Sequence, residues 1–295
     1  MSKFEIVMAE HAGFCFGVKR AVDAIEESLA RNHENRKIWT IGLPIHNPQE
    51  VKRLEDLGLN VANNESEIPD GALVLIRAHG ESLEVLEKLQ SRGVEVIDMT
   101  CPFVKKAQDF AEKFSRLNYK IVLLGDKNHP EIKGIIGHVN HAQVSVIANE
   151  NEAQELAHFP KIALISQTTQ REEKLSKVSA VLINKCSELH VCNTICRATS
   201  ERQDAVKNLV RDGSVDGVVL VGGRASANTS KLRDIIMNEN ISVLWIEEAQ
   251  ELDSNSHWFR GKNKIGIAAG ASTPSWLIIN VIHKIAQLEA AKGDL

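Results

Sequence analysis

Three cysteines occupy equivalent positions in an internal repeat of the sequence. Each one follows a strand-like apolar run and stands at the start of an amphipathic helical pattern. The three segments are MAEHAGFCFGVKRAV around Cys15, VEVIDMTCPFVKKAQDF around Cys101 and LHVCNTICRATSERQDAV around Cys196, so the cysteines are 86 and 95 residues apart. Self-similarity at a nearly constant spacing indicates a repeated structural unit. The sequence therefore predicts three modules with the same order of elements.

Apolar β-branched runs alternate with amphipathic helical patterns along the chain, which is typical of a parallel α/β protein. The runs IVLLG, IALIS, GVVLVGG and KIGIAAG are continuously apolar, as buried parallel strands are. The predicted fold class is α/β, with three similar parallel-sheet modules. We place module one at 18–100, module two at 101–191, and module three at 192–285 together with 1–17. The run from Phe4 to Met8 would then supply the strand that module three lacks.

Polar residues follow the predicted strands of each module. In parallel α/β folds, ligands bind beyond the carboxyl ends of the strands, where the following helices present their N-termini. The residues predicted at such positions are His46, His79, His129, Glu131, Thr168, Thr169, Ser226, Asn228 and Ser272. If the modules face one another about a pseudo-threefold axis, the three cysteines converge among these side chains.

The position of the cysteines favours thiolate chemistry, because the positive end of a helix dipole lowers the pKa of a thiol. Three thiolates suit a four-iron four-sulfur cluster with one iron left without a protein ligand, or a zinc ion completed by His or water. Zinc is the weaker interpretation, because structural zinc sites usually take closely spaced cysteine pairs. The remaining two cysteines, Cys186 and Cys192, are predicted to be spare thiols, with Cys186 at the end of a helix.

The other polar residues are suited to an anion. Helix N-termini, hydroxyl and amide donors and imidazoles together match a phosphate or diphosphate. The sequence contains neither GxxxxGK[ST] nor GxGxxG, so nucleotide use is unsupported. Glu131 is a candidate proton donor if burial raises its pKa, and Thr168 is a candidate relay.

Composition excludes several classes of protein. The formal net charge is −4, so no basic surplus exists for nucleic-acid binding. The chain has no long apolar run and no signal-like N-terminus, so we expect a cytoplasmic protein without a membrane span. Five cysteines are too few and too scattered for a disulfide scaffold.

Three functional hypotheses fit these residues. An exposed iron beside an anion pocket and an acid favours a reductase. The same thiols and anion donors would also suit an iron–sulfur or zinc sensor of a phosphorylated ligand, which needs no acid. A cluster-dependent dehydratase would share the open iron but take up no electrons. Taken singly, each cysteine is more often a buried apolar residue than a ligand, and each histidine is more often a surface residue.

Nine segments in order resemble the motifs of the 4-hydroxy-3-methylbut-2-enyl diphosphate reductase family, also called LytB. They are AGFCFGVKRAV, PIHNPQEV, RAHGE, DMTCPFVKK, NHPEIKGIIGH, SQTT, NTICRATSERQ, SANTSKL and GASTP. The resemblance implies a three-module fold around a pseudo-threefold axis with a central four-iron four-sulfur cluster held by Cys15, Cys101 and Cys196. The open iron would take the hydroxyl group of the substrate.

The resemblance also implies roles for the polar residues. Glu131 would supply the proton, and Thr168 and His129 would assist catalysis. The residues that would hold the diphosphate or line its pocket are His46, His79, His129, Thr168, Ser226, Ala227, Asn228 and Ser272, with Ala227 where the family usually has Ser. The products would be isopentenyl and dimethylallyl diphosphate, in the last step of the methylerythritol phosphate route. Ferredoxin or flavodoxin, with its reductase, would supply the electrons.

Overall fold

The structure is a computed structural model, and it describes residues 4–31, 36–211 and 214–293. Its strands are β1 (Glu5–Met8), β2 (Ile38–Ile41), β3 (Leu59–Ala62), β4 (Leu73–Ile76), β5 (Glu95–Asp98), β6 (Lys120–Leu124), β7 (Val144–Ile147), β8 (Phe159–Ser166), β9 (Cys186–Cys192), β10 (Gly217–Val221), β11 (Val243–Ile246) and β12 (Lys264–Ala269). Its α-helices are α1 (Phe16–Ala30), α2 (Pro48–Asp56), α3 (Leu83–Ser91), α4 (Pro102–Arg116), α5 (Pro130–Ile136), α6 (Glu150–Glu155), α7 (Glu172–Leu182), α8 (Arg197–Val210), α9 (Ala227–Asn238), α10 (Glu251–Ser254) and α11 (Ser275–Gly293).

The strands form three parallel sheets of four strands, in the orders β3-β2-β4-β5, β7-β6-β8-β9 and β1-β12-β10-β11. All three sheets have the same topology: the second strand in sequence lies at one edge, followed by the first, the third and the fourth. The third sheet matches the others because β1 takes the place of its fourth strand, with Glu5 opposite Lys264 and Met8 opposite Ile267. The α/β fold class is confirmed, and the N-terminal run completes the third sheet as expected.

Each sheet has a topological switch point between its first and third strands. After the first strand, the chain runs to the second strand at one edge of the sheet. After the third strand, it runs to the fourth strand at the opposite edge. Because the two connections diverge, a crevice opens at the carboxyl ends of the first and third strands. The loops that begin there follow β2 and β4, β6 and β8, and β10 and β12. These are the loops in which the sequence places its histidine, hydroxyl and amide side chains.

The chain divides into two compact units. Unit 1 comprises Met1–Lys19, Ile45–Arg53 and Arg197–Leu295, and unit 2 comprises Arg20–Pro44 and Leu54–Cys196. The sheet containing β1 belongs to unit 1, and the other two sheets belong to unit 2. The predicted boundaries of the three modules, and their arrangement about an axis, stay predictions.

Helices cover both faces of the sheets, so the central strands are buried. In unit 1, Val219 of β10 packs with Leu277 of α11 on one face, and Val218 packs with Leu232 of α9 on the other. In unit 2, the two faces of the sheet around β6 are likewise packed against α4 with α5 and against α6 with α7. Burial on both faces explains why these strands are continuous apolar runs rather than alternating ones. Within the described ranges, every helix is too short or too polar to cross a bilayer.

Candidate functional site

Each of the three repeated cysteines directly precedes a long helix. Cys15 comes before α1, Cys101 before α4 and Cys196 before α8. Pro102 is the first residue of α4, where a proline suits the first turn because its missing N–H has no partner in a helix. The Cys15 Sγ accepts a hydrogen bond of 3.4 Å from the Val18 backbone N–H. The prediction that each cysteine follows a strand and begins a helix is confirmed.

A single hydrogen bond fixes the backbone of each cysteine to its own sheet. The amides of Cys15, Cys101 and Cys196 each donate over 3.0 Å to a carbonyl oxygen, that of Ala271, Ala78 and Thr168 respectively. Every acceptor lies in the loop after the third strand of its sheet. The repeat of the sequence is therefore also a repeat of local geometry, and it holds the backbone of each cysteine beside a switch-point loop.

Glu131 is a buried acid in unit 2 whose partners come from a different loop. Its side chain is 2% exposed, and its carboxylate accepts hydrogen bonds of 2.7 Å from both the backbone N–H and the hydroxyl of Thr168. Burial raises the pKa of Glu131 to about 7, although the two Thr168 hydrogen bonds act in the opposite direction. A carboxyl group with a pKa near 7 can hold and release a proton at neutral pH.

His129 and His79 extend this arrangement. His129 caps α5, and its Nδ1 accepts from the Glu131 N–H over 3.1 Å, which leaves the proton of a neutral ring on Nε2. The His79 ring meets the His129 ring edge-on, with centroids 5.4 Å apart. His79 directly follows Ala78, the acceptor of the Cys101 amide.

Unit 2 therefore contains a continuous chain of contacts from one cysteine to another. The chain runs through Cys101, Ala78, His79, His129, Glu131, Thr168 and Cys196. The sequence named all of these residues except Ala78 as site candidates. The contacts join the acid and two imidazoles to the backbone amides of two cysteines in one connected set.

In unit 1, the loops after β2, β10 and β12 meet. The Ser272 hydroxyl donates to the His46 carbonyl oxygen over 3.2 Å. Gly223 approaches the same carbonyl so closely that a Cβ at this position would overlap it. The Ser226 amide in turn donates to the Gly223 carbonyl over 3.0 Å. His46, Ser226 and Ser272 are thus brought together.

The start of α9 presents unused polar groups. Ser226 caps the helix by accepting from the Thr229 N–H over 3.3 Å, and Ala227 is the first helical residue. Asn228 is 4% exposed, and neither its amide nitrogen nor its amide oxygen has a hydrogen-bond partner among the residues that the structure describes. Because a buried amide without partners is costly, this side chain fits a bound polar ligand.

The donor set fits the groups that the sequence predicts. Helix starts carrying thiols suit an iron–sulfur cluster, and a helix start carrying an unused amide and a hydroxyl suits an anion. In unit 1 these residues are Cys15, His46, Ser226, Ala227, Asn228 and Ser272; in unit 2 they are Cys101, Cys196, His79, His129, Glu131 and Thr168. That all of them serve one catalytic site stays a prediction.

The other two cysteines lie in a strand. Cys192 is the last residue of β9 and is buried, and burial raises the pKa of its thiol to about 11. The expectation that Cys186 ends a helix is wrong: it begins β9, its thiol donates to the Leu182 carbonyl over 3.3 Å, and burial raises its pKa. Both environments favour the thiol over the thiolate that binds metal.

Sequence reasoning missed two arginines that bind the segments before Cys101 and Cys15. Arg20 donates to the carbonyl oxygens of Met99 and Thr100, and Arg202 donates to that of Gly13. The signal available in the sequence was an arginine five or six residues after a repeated cysteine, once on α1 and once on α8.

Comparison with known proteins gives full-length matches. A model of the LytB protein family matches residues 6–286. Curated relatives with the name 4-hydroxy-3-methylbut-2-enyl diphosphate reductase include one from Geobacter metallireducens, 41% identical over 98% of this chain and 99% of its own. Another, from Aquifex aeolicus, is 42% identical over 96% of each chain.

Two solved structures resemble the chain. The E-1-hydroxy-2-methyl-but-2-enyl-4-diphosphate reductase of Plasmodium falciparum superposes with a TM-score of 0.87 at 27% identity, over 95% of this chain and 87% of that one. A second, described as (E)-4-hydroxy-3-methyl-but-2-enyl diphosphate reductase, the terminal enzyme of the non-mevalonate pathway, gives a TM-score of 0.69 at 41% identity. That match covers 96% of this chain and 99% of that one.

Proposed function

Because this chain belongs to the LytB protein family, we propose that it is a 4-hydroxy-3-methylbut-2-enyl diphosphate reductase. The reaction removes the allylic hydroxyl as water, using two electrons and two protons, and leaves isopentenyl and dimethylallyl diphosphate. This is the terminal step of the non-mevalonate route to isoprenoid precursors. The observation that carries the proposal in this chain is the set of contacts that links the backbones of two helix-starting cysteines through a buried acid.

The cofactor that we propose is one four-iron four-sulfur cluster, held by Cys15, Cys101 and Cys196 with one iron lacking a protein ligand. When bound, such a cluster supplies electrons and a Lewis-acidic iron. The support for this ligand set is the repeat: the three cysteines share their position before a helix and their amide bond to a switch-point loop. Cys186 and Cys192 share neither feature.

The protein's own groups account for substrate binding and proton delivery. We assign the diphosphate to the start of α9, where Asn228 and Ser226 would donate hydrogen bonds alongside the helix dipole, with His46 and Ser272 beside them. Glu131 would donate the proton that the reduced carbon takes up. Thr168 would hold the carboxyl in position through its amide and hydroxyl, and His129 and His79 would line the approach to it.

Electrons must come from a partner protein, and we propose ferredoxin or flavodoxin with its reductase. The substrate and its pathway favour the cytoplasm as the location. The net charge of −4 supports no role in nucleic-acid binding.

The first experiment measures iron and acid-labile sulfide on anaerobically purified protein. It includes the Cys186→Ser/Cys192→Ser double variant and the three single Ser variants of the proposed ligands. We expect about four irons and four sulfides per chain in the wild type and the double variant, and a depleted cluster in each single variant. Zinc in place of iron, or cluster loss in the double variant, would overturn the ligand set.

The second experiment follows substrate-dependent oxidation of a reduced viologen. Consumption of two electrons per substrate is the expected result for the reductase. Substrate binding without oxidation of the viologen would indicate the sensor instead, and conversion of substrate without net electron uptake would indicate a dehydratase.

A further inference from the structure

Arg20 lies on the helix that follows Cys15 and binds the segment before Cys101. It is five residues after Cys15, on α1. Its Nη2 donates to the carbonyl oxygen of Met99 over 2.9 Å and to that of Thr100 over 2.6 Å. Those two carbonyls belong to the residues immediately before Cys101, so the guanidinium fixes the backbone from which the thiol projects.

Arg202 repeats this arrangement with a different pair of cysteines. It lies on α8, six residues after Cys196, and it is 5% exposed. Its Nη2 donates to the carbonyl oxygen of Gly13 over 2.8 Å, and its Nη1 donates to that of Ala198 over 2.8 Å. Gly13 precedes Cys15 by two residues. Its φ of +103° is a conformation that favours glycine, so the loop shape that the arginine holds is a specific one.

The segment before Cys196 is held by a neutral group instead. The Thr194 hydroxyl donates to the Ser166 carbonyl and accepts from the Ser166 N–H over 3.0 Å. Two of the three cysteine loops are therefore fixed by a guanidinium and one by a hydroxyl. The two guanidinium groups therefore add positive charge beside the segments that lead to Cys101 and Cys15, which the Thr194 hydroxyl does not.

We propose that Arg20 and Arg202 are positioning residues for the cluster ligands Cys101 and Cys15, and that their charges favour the reduced cluster. This inference rests on the proposed function, because it requires the cluster. Outer residues that orient metal ligands typically change metal affinity by 10- to 100-fold when replaced. A nearby positive charge stabilises the more negative, reduced state of a cluster and so raises its reduction potential.

The test compares Arg20→Gln, Arg20→Lys and a matched control, Arg92→Gln. Arg92 lies in the same unit and also holds backbone carbonyls, those of Glu65 and Ile68, but the segment that it holds lies between β3 and β4 and carries none of the proposed ligands. The readouts on anaerobic holoprotein are the rate of iron loss to a chelator, the electron paramagnetic resonance spectrum of the reduced cluster and its reduction potential.

We expect Arg20→Gln to lose iron about 10- to 100-fold faster than the wild type and to have a lower reduction potential. Arg20→Lys keeps the charge but not the two-carbonyl geometry, so it should restore the potential and only part of the iron retention. Arg202→Lys, chosen because Arg202 is buried, should behave like Arg20→Lys. Arg92→Gln should match the wild type in all three readouts.

Two outcomes would overturn the inference alone: wild-type iron retention and potential in Arg20→Gln, or the same losses in Arg92→Gln, which would show general destabilisation. A wild-type protein that binds no iron–sulfur cluster would overturn the proposed function itself, and the inference with it. The wild-type iron content therefore separates the two failures.

Discussion

Glu131 and Glu50 are both buried carboxylates, but their partners differ. Glu50 is 1% exposed, pairs with the Arg53 guanidinium at 2.5 and 2.9 Å and accepts from the Trp276 Nε1. Among the residues that the structure describes, the hydrogen bonds to the Glu131 carboxylate come from neutral groups, the amide and the hydroxyl of Thr168. A cation stabilises the ionised form, whereas burial beside neutral donors leaves the protonated form accessible. This difference supports the proposed role of Glu131 in proton transfer and a structural role for Glu50.

The first prediction concerns turnover. Replacing Glu131 by Gln should keep the cluster and substrate binding but reduce kcat by about 10²- to 10⁴-fold, the usual contribution of a general acid. Viologen oxidation measures kcat, and iron content checks the cluster. Glu50→Gln is the matched control, since it removes a buried carboxylate that already has a cation. Near-normal kcat in Glu131→Gln would remove Glu131 from the mechanism.

The second prediction concerns pH and stability. The pKa of Glu131 rises from 4.5 to about 7 on folding, so the folded protein binds this proton more tightly than the unfolded chain does. Its contribution is fully present below pH 4.5 and is lost as the pH rises through 7. The Glu131→Gln variant has no titrating carboxyl at this position, so its stability does not fall with rising pH for this reason.

The stability of Glu131→Gln relative to the wild type should therefore increase between pH 5 and pH 8. The increase should be on the order of 2 kcal/mol, because one pKa unit corresponds to about 1.4 kcal/mol. Urea unfolding of both proteins across this range measures it. A constant difference between the two proteins would mean that the Glu131 carboxyl keeps an ordinary pKa.

At the scale of elements, the sequence predicted the first, third and fourth strands of each sheet and missed the second, which lies at an edge. The first and third strands of each sheet are apolar runs, and their following loops carry the predicted polar residues. By contrast, β3, β7 and β11 are four-residue strands at sheet edges; β3 (LNVA) and β7 (VSVI) have mixed sequences, and β11 (VLWI) is a short apolar run. The pairing of β3 and β7 comes from the sheet that they join rather than from any local pattern, and the apolar run of β11 is too short for periodicity to separate a strand from a helix.

Contacts between loops could not be predicted from the sequence either. Glu131 and Thr168 were named separately, but their two hydrogen bonds join residues 37 apart in the chain. The repeat placed both loops at one sheet edge, and only the packing of α5 on β8 decides which side chains touch. The same holds for Arg20 and Thr100, which are 80 residues apart.

The third prediction concerns the loop between β10 and α9. A Cβ at position 223 would overlap the His46 carbonyl, so Gly223→Ala must displace the segment that carries Ser226 and Asn228. We expect KM for the substrate to rise about tenfold or more while the cluster is retained, because lost hydrogen bonds to a charged ligand cost roughly 1.5 to 3 kcal/mol.

Gly261→Ala serves as its control. Gly261 has a φ of +73° with open space around it, so the substitution strains the backbone without moving the loop before α9. Its KM should stay near the wild-type value. An unchanged KM in Gly223→Ala would show that α9 does not bind the diphosphate.

At the scale of the whole molecule, the third sheet depends on a contact between distant parts of the chain. Two of the sheets are built from one continuous segment each, but the third is complete only when β1 pairs with β12, with Glu5 opposite Lys264. Closing a loop between such distant segments costs chain entropy, and contacts of this kind slow folding. Cys15 lies seven residues after the end of β1. The pairing of β1 with β12 therefore helps to place one of the three proposed cluster ligands.

The last prediction is that β1 opens locally more often than the strands beside it. The β1 residues are exposed or half-buried, whereas all five residues of β10 are buried on both faces. Local opening occurs most readily where few apolar contacts hold a strand. The Glu5 amide donates to the residue before β12, and the Ala9 amide donates to β12 itself. In the same way, the Val218 amide of β10 donates to the residue before β11, and the amide of Gly222, the residue after β10, donates to β11 itself.

Native-state hydrogen exchange should therefore show the Glu5 and Ala9 amides exchanging at least about tenfold faster than those of Val218 and Gly222, a difference of about 1.4 kcal/mol in opening free energy. If a cluster is held through Cys15, its binding should reduce this difference, because the ligand restrains the segment that follows β1. Equal protection of all four amides in the iron-free protein would contradict the prediction. It would mean that β1 unfolds only together with the whole sheet.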